Sequence, residues 1–276
     1  MGRKALEKIA RDLAPVVFLH PEESYFPCTV EYYVRNCSLW DGKKEMVPEG
    51  RMSVRKLPTN PQDTSWTLNV PPEYREGEST DINDVPFYVN IVEKEDVYQI
   101  FYIFMYAYNG PFWLCGIPEK CKCCSVGAHQ ADIEHITVEV KKDMTCHSDE
   151  ERKISDYVTR VYFAAHGSHD GQWIAAKDLK WKHGKILVYS AKHSHASYQI
   201  HGTICRCLGC ISDHTGEGYV WNPKNIAIID DTTRWNQYVG HLGAPDHVPT
   251  PKYHSWWGNE SETSTNWFCR FFCACY

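Results

Sequence analysis

Apolar residues near the start of the chain recur at helical spacing. Leu6, Ile9, Ala10 and Leu13 share one face, and Pro15 ends the run, which predicts an N-terminal helix over 1–14. Beyond it the period shortens to two. Val16-Val17-Phe18-Leu19 and Tyr32-Tyr33-Val34 read as short strands, broken by His20-Pro21 and Phe26-Pro27. Residues 41–84 are rich in Pro, Asn, Asp, Glu and Gly and predict a long loop region with Trp66 as its packing anchor. Strands resume over 86–92 and 97–106; the second is apolar enough to be central and ends at the turn Asn109-Gly110-Pro111. Val161 to His166 and Val188 to His193 echo one another, each a strand running out into a loop that bears His and Ser. Residues 225–231 form a further strand ending in paired acids. The pattern predicts a mainly β fold, a two-sheet β-sandwich with an N-terminal helix and long loops. A single domain is expected over 1–276: the helix 1–14, the sandwich 15–268 and a Cys-rich tail 269–276.

Within this pattern one strand carries chemistry. Ile136-Thr137-Val138-Glu139-Val140 alternates, and alternation extended backwards puts Asp132 and Glu134 on the face of Ile136, Val138 and Val140. Two carboxylates thus enter a buried face at the strand's mouth, with His129 arriving from the preceding loop. Buried carboxylates need a cation or a basic partner, because leaving them unpaired costs several kcal/mol, roughly. A metal site at His129, Asp132 and Glu134 is one expectation; salt bridges or capped loop amides are the other. Oxygen ligands favour Mg, Ca or Mn, while the imidazole admits Zn. Asn109, Asp170 and Asp230 are candidate additional ligands by type.

Composition narrows the partners. The chain has 276 residues and a formal net charge of −6, with Lys and Arg scattered rather than clustered, so no face suits nucleic acid. No run of 18 apolar residues predicts a transmembrane segment. Without a signal peptide the expected location is cytoplasmic, with peripheral membrane association and unconventional secretion left open. Thirteen cysteines complicate that expectation. Cys207 and Cys210 have the spacing of a zinc knuckle, which Cys121 and Cys124 could complete as a structural zinc site; reduced loop thiols or disulfides are the alternatives. The chain is rich in aromatics, with 17 Tyr, 10 Trp and 10 Phe, which suits a β core and also a carbohydrate or lipid-headgroup surface. Trp113, Trp173 and Trp256 are the expected ligand-stacking residues.

Two functional classes follow. One is a divalent-cation-dependent binding protein that engages a membrane headgroup, glycan or small molecule. The other is a metal-dependent enzyme acting on a small molecule with a loop histidine, His166 or His193, as acid or base.

Longer stretches resemble a known family. Leu13 to Pro27, the aromatic strand ending in Tyr108-Asn109, the stretch Val188 to Tyr198 and Trp257-Gly258 resemble, in order, the vacuolar protein sorting-associated protein 62 family. The family's Gly before the first acid is Ala131 here, and its Trp between the acids is Ile133. The spacing of His129, Asp132 and Glu134 is also similar to the heptapeptide of the necrosis- and ethylene-inducing-like proteins, which are β-sandwich cytolysins. That resemblance implies a divalent cation on these three residues that helps to dock a sphingolipid sugar headgroup.

Overall fold

A computed structural model describes residues 2–62, 65–78, 81–113, 125–142, 153–166, 171–206, 211–244 and 248–253. Its N-terminal helix α1 spans Arg3–Asp12 and buries Ile9 and Ala10, with Leu13 at its C-cap. The Tyr102 hydroxyl donates to the Ala10 carbonyl at 2.7 Å, which fixes the helix to the middle of the molecule.

The central sheet has six strands, in the order Gln172–Ala175, Val158–Phe163, His129–Lys141, Val97–Asn109, Phe87–Glu93 and Ile226–Ile228. All neighbours are antiparallel except the last pair, which is parallel. Val97–Asn109 and His129–Lys141 each run for 13 residues and form its centre. A second sheet packs across one face. It orders Trp181–Lys182, Lys185–Ser190, Val16–Phe18 and Val220–Trp221, with Ser197–Tyr198 also paired to Lys185–Ser190. Between the sheets lie Val17, Leu19, Ile186, Val188 and Trp221 from one side, and Ile100, Tyr102, Phe104, Ile136 and Val138 from the other. The protein is mainly β, as the period-two pattern implies, and these two sheets form the sandwich.

The opposite face of the central sheet is covered as well. Phe101, Ile103, Met105, Ile133 and Ala131 pack there against helix α2, Val30–Asn36, and against Leu39 and Leu68. A strand covered on both faces reads as a nearly unbroken apolar run, as 97–107 does. Two expectations are corrected here. Tyr32-Tyr33-Val34 is part of α2 and not a strand: the Thr29 side chain caps it by accepting from the Tyr32 amide, Glu31 stands in the first turn and Arg35 in the last. Residues 41–84 are not simply a loop, because Lys44–Val47 and Trp66–Asn69 flank Ser38–Asp41 in a three-stranded sheet. Leu39 and Leu68 of that sheet are buried in one cluster with Phe101, Ile103 and Met105 of the central sheet, a relationship that local composition does not encode.

Among the described residues no helix is long and apolar enough to cross a membrane.

Candidate functional site

The sheet register sets the site. Tyr102 pairs with Ile136, Phe104 with Glu134 and Tyr106 with Asp132, so the face that is apolar at Val138 and Ile136 turns acidic at its end. Asp132 and Glu134 are both buried there, at 6% and 9% exposure. Across the inter-sheet space the same end is polar too. The Tyr106 hydroxyl adjoins that of Ser190, and Ser197 is the cross-strand partner of Ser190. These three buried hydroxyls make no hydrogen bond of normal geometry to a described residue.

The basic partner of Asp132 is His195, which is fully buried. Its Nδ1 lies 2.8 Å from Asp132 Oδ2, its Nε2 lies 3.0 Å from the Tyr25 carbonyl, and its ring stacks flat on Tyr106 with centroids 3.7 Å apart. A carboxylate and a carbonyl can only accept, so both ring nitrogens carry hydrogen and the ring is an imidazolium. Glu23 stands 3.8 Å from Nε2. Burial works to lower the pKa of His195, but the bonds and charges of Asp132 and Glu23 outweigh it and push it up to about 9. Burial likewise works to raise Glu23; His195 and the His193 and Tyr25 amides outweigh it and hold its carboxyl at about 2. Glu23 accepts from the Ser24 and Tyr25 amides at 2.8 and 2.9 Å and from the His193 amide at 2.8 Å.

The loop that carries His195 is strained and pinned. His193 and His195 both have positive φ, 66° and 56°, and the Ser194 amide closes a tight turn on the Lys192 carbonyl at 2.8 Å. Such conformations persist only where surrounding contacts hold them. Buried Asp213 supplies one such contact. It accepts from Ser194 Oγ at 3.2 Å and Tyr198 OH at 2.6 Å, and His166 Nε2 lies 2.7 Å from its Oδ2. The two strand-end loops of the sequence echo therefore meet at Asp213, and the Ser197 amide donates to the Ala164 carbonyl at 2.8 Å.

The mouth of this polar end is rimmed by half-buried aromatics. Tyr25 packs edge-on to Tyr108 at 5.0 Å and to His193 at 5.4 Å, and the Arg75 guanidinium lies 4.8 Å from the Tyr108 ring centre. Gly110 leaves room for this arrangement, since a Cβ there would sit 2.5 Å from the Tyr25 ring and 2.8 Å from His193 Cβ.

The structure brings some of the expected residues together and separates others. Asp132 and Glu134 share the inner face. His129 does not join them: its ring folds back on its own strand, with Nδ1 2.7 Å from the Ala131 carbonyl. Asn109 braces the neighbouring turn by donating to the Gly110 and Gly127 carbonyls. Asp230 lies toward the other end of the sheet, because Ile228 aligns through Val89 and Tyr102 with Ile136; its carboxylate bonds Thr232 and Thr233 and pairs with Arg3. Trp173 pairs with Tyr162 on the opposite face from the acids and carries Arg160 over its ring at 4.2 Å. Trp113 belongs to the strand Phe112–Trp113, but its side chain lies outside the described part of the structure. Asp170, Cys121, Cys124, Cys207, Cys210 and Trp256 lie outside the described residues. The donor chemistry at the acidic end, carboxylates with hydroxyls, suits a hard cation. Yet Asp132 Oδ2 is engaged with His195, and among the described residues no three His, Cys, Asp or Glu side chains gather as a metal site. Of the expected trio, Asp132 and Glu134 share the buried face and His129 does not join them.

Sequence reading missed Glu23, Asp213 and Arg75 as site residues, and read His195 only as a loop histidine able to act as a base. The signal available for His195 and Glu23 was their place in stretches that resemble the family; no local pattern marks Asp213 or Arg75.

Comparison with curated proteins finds no match. Among solved structures the chain is similar to one described as NLPPya in complex with mannosamine, at 9% identity and a TM-score of 0.43, over 92% of this chain and 86% of that one. It is similar to one described as a toxin fold for microbial attack and plant defense, at 9% identity and TM-score 0.46, over 94% and 90%. It is also similar to Necrosis and Ethylene inducing Protein 2 from the causal agent of cocoa's Witches Broom disease, at 10% identity and TM-score 0.40, over 85% and 83%. The model of one family matches residues 2–224, most of the chain, which therefore belongs to the vacuolar protein sorting-associated protein 62 family.

Proposed function

We propose that this protein binds a hydroxyl-rich headgroup, a glycan or the sugar of a membrane lipid, at the polar end of the sandwich, with a divalent cation bridging headgroup to protein. The observation that carries this reading is a group of buried carboxylates gathered at a rimmed opening. Glu23 and Asp132 flank the imidazolium of His195, and Glu134 shares the buried face of Asp132. Asp132 and Glu134 would hold the ion, and headgroup oxygens would complete its shell, since the described residues supply no third ligand of that kind. Tyr25 and Tyr108 offer flat apolar faces with polar tips, the surface on which a sugar ring stacks.

Co-sedimentation with vesicles tests it. Vesicles carrying a glycosylated sphingolipid in phosphatidylcholine are compared with phosphatidylcholine alone, each with calcium or with EDTA. Binding that needs both the sugar and calcium, and that falls at least tenfold in Asp132→Asn and Glu134→Gln, supports the reading. Equal binding to both vesicles, or binding indifferent to EDTA, removes the headgroup or the cation respectively.

One observation favours a second reading, acid–base catalysis. His166 Nε2 lies 2.7 Å from Asp213 Oδ2 while the ring keeps 16% exposure, so His166 is the candidate base. His193, also a candidate base, has a pKa lowered chiefly by burial. Chelator-sensitive turnover of a glycoside or lipid that vanishes in His166→Ala would favour the enzyme.

A further inference from the structure

At the end of the sandwich away from the acids, a cavity of about 320 Å³ opens between α1 and the central sheet. The way the helix is anchored leaves it there. Ile9, Ala10 and Leu13 are buried, the Tyr102 hydroxyl holds the Ala10 carbonyl, and Lys185 Nζ donates to the Arg11 and Asp12 carbonyls at 3.3 and 3.2 Å. All of these contacts fall in the second half of α1. Leu6, one turn earlier on the same face, packs only partly against the core. Ile91 and Ile228 are likewise only partly buried, although both stand on the sheet face that carries the main core. These three residues line the cavity together with Tyr98, whose strand position pairs with Val140, at the far end from Asp132.

The walls are therefore aliphatic and aromatic, and the opening is polar. Arg3, Glu7, Glu93 and Asp230 belong to it. Each of these charges already has a partner. Arg3 Nε lies 3.0 Å from Glu7 Oε1, Arg3 Nη2 lies 3.4 Å from Asp230 Oδ2, and Lys142 Nζ lies 2.8 Å from Glu93 Oε1. An ionic ligand head would have to displace one of these partners to find its counter-charge. A hydroxyl needs no such exchange, since it can donate to a carboxylate and accept from a guanidinium N–H while the pairs persist. Apolar walls with a few polar groups are the general make-up of a small-molecule site, and the volume falls within the usual span of roughly 300–1,000 Å³.

We infer that this cavity is a second binding site, for an aliphatic chain that ends in an uncharged, hydroxyl-bearing head. The chain lies against Leu6, Ile91, Tyr98 and Ile228, and the hydroxyl meets the group formed by Glu7, Arg3 and Asp230. The site shares no residue with the polar end and does not rest on the headgroup reading above.

Titration of the full chain with 1-butanol, 1-hexanol and 1-octanol, followed by nuclear magnetic resonance of isotope-labelled methyl groups, tests it. The expected result is saturable shifts at the methyls of Leu6, Ile91 and Ile228, with affinity rising roughly fourfold for each methylene added. Octanoate and octylammonium should bind at least tenfold more weakly than 1-octanol. Leu6→Phe and Ile91→Phe fill the cavity from opposite walls, and each should lower the affinity for 1-octanol at least tenfold while the thermal midpoint holds. Shifts that fall on other methyls, affinity indifferent to chain length, or undiminished binding in either folded variant overturn the site. Octanoate or octylammonium binding as tightly as 1-octanol overturns the uncharged head. None of these probes carries a sugar, so the vesicle assay for the headgroup and this titration stand or fall separately.

Discussion

His195 Nδ1 sits 2.8 Å from Asp132 Oδ2, and this bond joins the second sheet to the central one at the polar end of their interface. Its Nε2 reaches the Tyr25 carbonyl, so one imidazolium also ties down the segment that supplies the aromatic rim. Access to the site and integrity of the sandwich are therefore coupled through one ring.

The first consequence is a pH dependence of stability. The His195 pKa rises from 6.5 to about 9 on folding, so its contribution is complete below pH 6.5 and is lost as pH climbs through 9. At about 1.4 kcal/mol per unit the loss is roughly 3–4 kcal/mol. Glu23, held at about 2, works in the other direction: its contribution is present above its unfolded value of 4.5 and is lost as pH falls toward 2. The two share one contact and are not summed. Urea unfolding in EDTA should show a stability maximum between roughly pH 5 and 6.5 and a decline by pH 9 that is absent in His195→Ala. A flat profile over that range in the unmodified protein would refute the assignment.

Removing the ring itself should be costly. His195→Ala leaves Asp132 and Glu23 buried without their cation and takes away the stack on Tyr106, so a loss of about 3–5 kcal/mol is expected. Adding Asp132→Asn to that variant should recover part of the loss, because one of the stranded charges is gone. If the double variant is less stable than the single one, the charge argument fails.

Ala131 precedes the acid pair with φ at 57°, a left-handed conformation that costs an L-residue roughly 1–2 kcal/mol. Glycine would remove that cost but also a buried methyl worth about 0.8 kcal/mol. Ala131→Gly should therefore gain roughly 0.2 to 1.2 kcal/mol. Denaturant midpoints at unchanged slope decide it; a net loss would mean that the methyl's packing dominates.

Gly110 tests the rim without touching a charge. Its substitution by Ala forces a Cβ to 2.5 Å from the Tyr25 ring, so ring and histidine must part. Gly110→Ala should cost about 1–3 kcal/mol by overpacking and should lower vesicle binding severalfold while the central sheet persists. Far-ultraviolet dichroism measured beside co-sedimentation separates the two effects; undiminished binding would place the ligand away from Tyr25.

Periodicity and turn chemistry were enough to read α1, the strands around 87–93 and 97–109, and the shared face of Asp132, Glu134, Ile136 and Val138. Each of these follows from neighbours a few positions apart, where side-chain direction is set by backbone geometry alone. The burial of both faces of 129–141 was not legible, since Ile133 finds its cover in the cluster that includes α2, and Thr137 on the same face is fully buried. Tyr32 to Val34 misled because aromatic and β-branched residues also suit a helix once a capped turn packs them against a core.

What the sequence determined by itself is thus the mainly β character and the placing of two carboxylates on a buried face, both products of a two-residue repeat. What only the tertiary structure decided is which groups answer them. His195 lies 63 positions from Asp132, Glu23 is 170 from the His193 amide it accepts from, and Arg75 comes over Tyr108 from a separate turn. Such pairings depend on how the two sheets and their connecting loops close on each other. Closure is a matter of long-range packing and charge, and no local pattern records it.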